Sequence, residues 1–191
     1  MRILAIICLI LSLQFSPTKA NAKGNNFINL KFNTFPLIIG ANDVEVDLLI
    51  GNWALGANAY LLDFEDGVFG AEASLYGGQL SYFFSGANAD GWMFNLKART
   101  GSIDVTTTVV NAGLNLVSAT GAMDVTIASA ELGYQWMWST FNMQFRAGMA
   151  SYSGSDATVN VTDSSGNIYN TTNAFTNGTA ASLTYTFGLA F

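Results

Sequence analysis

The stretch ASLTYTFGLAF, residues 181–191, alternates without a break. Leu183, Tyr185, Phe187, Leu189 and Phe191 fall on one side of an extended chain; Ser182, Thr184, Thr186, Gly188 and Ala190 fall on the other. A period of two marks a β-strand with one apolar face. In a sandwich dissolved in water, that face would meet a core and the other would meet solvent. Here the second face carries nothing large and nothing charged, so the remaining segments must decide what the apolar face touches.

Seven further segments show the same alternation. A first strand, about 26–38, sets Ile28, Leu30 and Phe32 against Asn29, Lys31 and Asn33. After the turn signal Gly40-Ala41-Asn42-Asp43, Val44, Val46, Leu48 and Ile50 alternate with Glu45, Asp47 and Leu49. Gly51-Asn52 turns the chain into Trp53, Leu55, Ala57, Ala59 and Leu61, opposite Ala54, Gly56, Asn58 and Tyr60. An acidic loop, DFEDG (63–67), precedes a fourth strand over about 70–84, in which Gly77-Gly78 suggests a bulge. ANADG (87–91) leads to Trp92, Phe94, Leu96 and Ala98, opposite Asn95, Lys97 and Arg99. Leu132, Tyr134, Trp136 and Trp138 then oppose Ser129, Glu131, Gly133 and Gln135. Across a tight turn at Ser139-Thr140, Phe141, Met143, Phe145, Ala147 and Met149 oppose Asn142, Gln144, Arg146 and Gly148. A polar loop, about 154–178, reaches the last strand.

Composition says what wets the apolar faces. Half the residues are hydrophobic and 10% are charged, against roughly a quarter charged in soluble domains. Residues 1–22 read as a cleaved signal peptide: Met1-Arg2, an apolar run from Ile3 to Phe15, and Ala20-Asn21-Ala22 as the cleavage site. Cys8, the only cysteine, leaves with it. Residues 23–191 then form one domain, whose basic residues are Lys23, Lys31, Lys97, Arg99 and Arg146 against thirteen Asp and Glu. That acidity excludes a nucleic-acid footprint. No segment of the domain offers the ~18 consecutive apolar residues of a spanning helix, which leaves a closed barrel as the way to face lipid. The expected fold is all-β: a transmembrane antiparallel up-and-down β-barrel of eight strands.

Connections near 51, 86–91 and 139–140 are short; those at 40–43, 63–69, 104–124 and 154–178 are longer or more polar. Barrels with tight periplasmic turns and large outer loops have this asymmetry. Trp53, Tyr82, Phe84 and Trp92 lie near the short-turn end, as do Trp136, Trp138, Phe141 and Phe191. They are expected to form an aromatic girdle at the lipid boundary.

Together, the leader, the eight segments and LTYTFGLAF (183–191) resemble the small eight-stranded outer-membrane β-barrels of diderm (Gram-negative) bacteria. The segment VEVDLLIGNWALGANAYLL (44–62) is similar to their second strand, periplasmic turn and third strand. The resemblance implies residence in the outer membrane, contact with its lipid, and insertion by the barrel-insertion machinery through the C-terminal strand. Relatives with protease, phospholipase or acyltransferase activity rely on a histidine, and this chain has none. A non-enzymatic protein with no cofactor is expected.

The inward faces gather an interior charge network: Lys31, Lys97, Arg99 and Arg146 with Glu45, Asp47 and Glu131. The side of Glu72 is open, because the suspected bulge would shift it. The turn at 139–140 sets Glu131 opposite Gly148 and diagonal to Arg146, within reach of long side chains. Lys31 can meet Glu45 or Asp47. An eight-stranded lumen is just filled by side chains, so a salt-bridged plug is preferred to a selective pore. Asp63, Glu65 and Asp66 offer oxygens suited to Ca²⁺ or Mg²⁺, but without EF-hand spacing no metal site is assigned. In the threonine-rich, apolar stretch 104–124, Val110, Leu114 and Leu116 read as a tall hairpin, a protein-contact loop or an entry for a hydrophobic solute. Protein contact, homo-oligomer formation included, is preferred. The expected role is structural, adhesive or assembly-forming, with a narrow porin-like channel or transporter as the alternative.

Overall fold

A computed structural model of the chain describes residues 26–110, 116–162, 165, 167–173 and 176–191. The leader, residues 1–22, lies outside the described residues. No helix among those described is long and apolar enough to cross a membrane, which says nothing of strands. The described residues form ten strands: β1 (Ile28–Asn33), β2 (Asn42–Ile50), β3 (Trp53–Asp66), β4 (Phe69–Phe83), β5 (Gly91–Val110), β6 (Leu116–Trp138), β7 (Phe141–Gly154), β8 (Ala157–Thr162), β9 (Ile168–Asn173) and β10 (Gly178–Ala190).

Eight of them close into an antiparallel ring. β1 to β7 pair in chain order, and β10 joins β7 to β1. In the lower ring closure pairs both edges of every strand, so main-chain donors and acceptors there are satisfied inside the wall. The two ends of the sheet meet near Phe27, whose N–H donates to the Phe191 carbonyl at 3.0 Å. At that end the connections are tight: Gly51 takes φ 61° and Ser139 takes φ 56° in two-residue turns.

The register corrects four expectations. β1 stops at Asn33 rather than near 38, because Pro36 cannot extend a ladder; Pro36–Ile39 instead forms a 3-10 turn closed by Gly40 at φ 85°. The acidic stretch 63–67 is not a loop. β3 runs to Asp66, and a turn at Gly67-Val68 returns the chain at Phe69. Gly77-Gly78 holds no bulge, since Gly77 pairs with Asn58 and Arg99, and Gly78 with Ala57 and Ala98, in unbroken order. Finally, 154–178 is not simply a polar loop. It contains the β8–β9 hairpin, and β8 pairs with the upper part of β6 from Ser118–Thr162 to Ala122–Thr158.

β3 runs past the end of its pairing with β2 at Leu61, and β5 and β6, of 20 and 23 residues, run past β7 and β10, so one side of the ring continues upward as a free-standing wall that β8 and β9 widen. The hairpin expected at 104–124 is the top of this wall. Val110 pairs with Leu116 across it; Leu114 lies outside the described residues.

Closure yields a direct prediction. Phe32 and Phe187 are paired across the β1–β10 seam and face outward. A Phe32→Cys/Phe187→Cys chain, with Cys8→Ser to remove the native thiol, should oxidise to one intramolecular disulfide in the folded protein. Intact-mass analysis showing two free thiols after oxidation would contradict the seam.

Candidate functional site: an ion-paired lumen beneath an inverted wall

Unbroken registers fix which way the described side chains on β1–β7 and β10 point. In the lower ring, outward positions are mostly apolar, and inward ones are polar or charged except at the short-turn end. Inside, Lys31, Glu45 and Arg146 are fully buried, at 0% exposure. Each is brought inward by its parity on a separate strand.

Glu45 is the hub. Lys31 Nζ lies 2.7 Å from its Oε2, and Arg146 Nη2 donates to its Oε1 at 2.8 Å. Lys97 also ion-pairs with Oε1, and Gln79 Nε2 donates to Oε2 at 3.1 Å. Four strands are therefore tied through one carboxylate to its own. Lys31 Nζ reaches Asp47 as well, at 2.7 Å, and Gln79 reaches Asp47 at 2.6 Å. Glu131 lies opposite Gly148, as the turn at 139–140 requires, and 3.5 Å from Arg146 Nε. Ser182 and Thr184 donate hydroxyls to its Oε1 from β10.

Arg99 stands one level higher. It pairs with Asp43, donates from Nε to Asn58 Oδ1 at 2.8 Å, and lies over the Tyr60 ring. Asp43 had read as a turn residue, although it shares the parity of Glu45 and Asp47. Glu72, left open by the sequence, points outward and is exposed. The lumen thus sets four cations against four carboxylates, all mutually paired among the described residues. Room for them comes from glycines. At Gly56 a Cβ would strike the Asp47 carboxylate, and at Gly133 it would strike the Arg146 stem.

A second seal lies below. Leu49, Ala54, Phe83, Ala87, Met93, Met137 and Ala190 form a buried apolar cluster at the short-turn end. The connection 84–90 folds beneath it: Ala87 N–H donates to the Gly51 carbonyl at 2.9 Å, and Gln135 Nε2 donates to the Ala87 carbonyl at 2.9 Å. Sequence reading missed this plug, although Phe83, Met93 and Met137 share the inward parity of Ser81, Asn95 and Gln135.

Outside, the expected girdle residues gather in edge-on and stacked runs. Trp53 meets Tyr82 at 4.7 Å and Tyr82 meets Phe84 at 5.3 Å between ring centroids. Tyr134, not singled out from the sequence, bridges Trp92 and Trp136 at 5.7 and 4.9 Å. Trp138 stacks on Phe141, which stacks on Phe187. Phe191 is exposed at 61%.

Above the row Tyr60–Leu75–Gly101–Val125 the two faces exchange chemistry. Asp63, Glu72 and Asp104 are direct neighbours across β3, β4 and β5 on the outward face, with Glu65 and Asp124 on the same side. Inward, the same strands carry Leu62, Phe64, Ile103, Val105 and Met123, each half-buried. A hollow of about 280 Å³ borders the outward acids. Among the described residues, no group of three or more acids, histidines or cysteines is arranged to hold a metal ion.

Comparison with protein-family models, with curated proteins and with solved structures finds no match to this chain. Function must be read from the geometry.

Removing one partner from a buried ion pair costs about 3–5 kcal/mol, because the other is left uncompensated. Arg146→Ala should lose about that much, and Glu45→Ala at least as much. Equilibrium urea unfolding in lipid vesicles measures both; unchanged midpoints would contradict the network.

Proposed function

We propose that this protein is an integral outer-membrane β-barrel of a diderm bacterium, sealed against solute flow, with a structural, adhesive or assembly-forming role rather than a catalytic one. The observation that carries the reading is the pairing of an apolar exterior with a closed wall and a filled interior. Leu55, Leu80, Leu96 and Leu132 all point outward and are exposed, with no second layer among the described residues to cover them, as a soluble domain would require. Lipid is the solvent that suits such a belt, and the aromatic runs at the short-turn end suit its interface.

The outward carboxylates support the same reading from the other end. Three neighbouring acids on the lipid side of a barrel would be strongly unfavourable within hydrocarbon. Hydrated above it, they are tolerable. The bilayer then covers the lower ring, the short turns face the periplasm, and the tall wall stands outside the cell. Outer-membrane lipid is the first partner. The barrel-insertion machinery would read β10, ending in Phe191, and self-association or contact with another protein would use the wall and its tip near Val110 and Leu116.

The filled lumen and the apolar plug below it favour a non-conducting barrel over a channel. Single-channel recording in a planar bilayer should show insertion without discrete conductance steps, and a combined Glu45→Ala/Arg146→Ala/Phe83→Ala chain should begin to pass ions. Regular unitary steps from the unaltered protein would favour a narrow channel. Recovery of the folded chain in the soluble fraction, away from floated vesicles, would sink the membrane reading itself.

A further inference from the structure

Two hollows lie on the outward face of β3 to β6, one above the other along β4 and β5. We propose that together they hold one lipid of the surrounding bilayer, its hydrocarbon chain in the lower hollow and an amine headgroup at the upper. The proposal rests on the membrane reading above, because only there does the lower hollow meet hydrocarbon and the upper one water.

Residue size at fixed parity makes the lower hollow. Ala57, Gly78, Ala98 and Ala128 stand in one register across β3 to β6, all facing outward. The outward register below them carries Leu55, Leu80 and Leu96, and the one above carries Tyr76, 57% exposed. Small residues between tall ones leave an open apolar groove of about 510 Å³, whose outward-facing lining is Leu55, Gly78, Leu80, Leu96, Ala98 and Ala128. Packing does not demand the glycine: a Cβ on Gly78 would meet only the Gly56 carbonyl, at 3.6 Å, whereas one on Gly77 would strike the Ala98 carbonyl.

Charge marks the upper hollow. Its lining of about 280 Å³ includes Asp63, Glu72 and Asp104, direct neighbours on three strands. The lysines and arginines that ion-pair among the described residues all face the lumen, so these acids are not offset on their own face. Between the hollows Tyr76, Ser74, Thr100 and Ser102 present hydroxyls, and the Thr126 hydroxyl donates to that of Thr100 at 3.1 Å. From Ala98 to Asp104 an unbroken strand rises about 20 Å. One leaflet supplies roughly 15 Å of hydrocarbon, so a lipid with its chain in the groove brings its head to the acids. The negative field there favours a cationic head and opposes a phosphate or sulfate. A second copy applying this same face would set two groups of acids against each other.

The test uses the full processed chain in phosphatidylcholine nanodiscs, with isotope-labelled Ala and Leu methyl groups. Three probes share one chain: octadecylamine, octadecanol and octadecyl sulfate. The amine should give saturable shifts at Leu80, Leu96, Ala98 and Ala128, leaving Ala147 and Leu183 on the far side unmoved. It should bind roughly tenfold more tightly than the alcohol, about 1.4 kcal/mol, and the sulfate more weakly still. High salt should shrink that preference. A combined Asp63→Asn/Glu72→Gln/Asp104→Asn chain should bind amine and alcohol alike, and Ala98→Leu should weaken both roughly tenfold by filling the groove. Should Ala98→Leu fail to insert, the three-probe series on the unaltered chain still decides. Equal binding of sulfate and amine, or amine shifts that do not saturate, overturns the proposal. So does occupation of the groove by a second copy, read as a doubled mass without probe. A chain that embeds in nanodiscs but shows no amine preference sinks the lipid site and leaves the membrane reading standing; a chain that does not embed sinks that reading.

Discussion

The structure depends on one constraint: a β-strand without a bulge cannot change which side its residues face. Registers run unbroken along β3 to β6, so every change of environment must be written as a change of residue type at fixed parity. Below Tyr60 and Leu75 the odd positions of β3 are apolar and the even ones small or polar. Above, Asp63 and Glu65 take the odd positions while Leu62 and Phe64 take the even ones. The chain keeps its geometry and exchanges its chemistry, and the exchange falls at one level on four neighbouring strands. Two solvents in succession along the barrel axis give a physical reason for such a pattern.

The lumen obeys the same constraint from inside. Parity delivers Lys31, Glu45, Lys97, Glu131 and Arg146 to a space from which water is largely displaced, where an unpaired charge would be costly and a paired one is tolerable. Because the partners come from five different strands, the pairs also oppose rotation or splaying of the wall. Below them Phe83, Met93 and Met137 close the bore without any charge. Under the proposed function, the two seals leave the wall that rises beyond the ring as the surface for contact.

Much of this was legible in the sequence, and what was not has identifiable causes. β10 announced its two faces without ambiguity, and the turn at Ser139-Thr140 fixed the relation of Glu131 to Gly148 by counting alone. Local composition misled elsewhere. Gly40-Ala41-Asn42-Asp43 has turn chemistry, which hid Asp43 as the partner of Arg99. DFEDG reads as a loop because acids and glycine are rare in strands, yet hydrated acids on one face are what the inverted wall requires. Gly77-Gly78 looked like a bulge, whereas Gly77 permits close approach of the β5 backbone, where a Cβ would strike Ala98. The β8–β9 hairpin is hidden in the polar composition of 154–178, although Val159 and Val161 alternate with Thr158 and Asn160. The joining of Glu45 to Lys97 and Arg146 depends on the bore of the closed ring rather than on any sequence spacing.

The level at which the faces exchange is the most direct place to test the account. Nitroxide labels placed singly, in a Cys8→Ser background, at outward positions Leu80, Tyr76, Ser74 and Glu72 on β4 and Leu96, Ala98, Ser102 and Asp104 on β5 can be read by electron paramagnetic resonance in lipid vesicles. Collision with oxygen should dominate at Leu80, Leu96 and Ala98. It should give way to a water-soluble nickel chelate between Tyr76 and Ser74 on β4, and at the paired Ser102 on β5. Uniform access of the nickel chelate along both strands, or oxygen-dominated labels at Glu72 and Asp104, would contradict the claim that lipid ends where the two faces trade places.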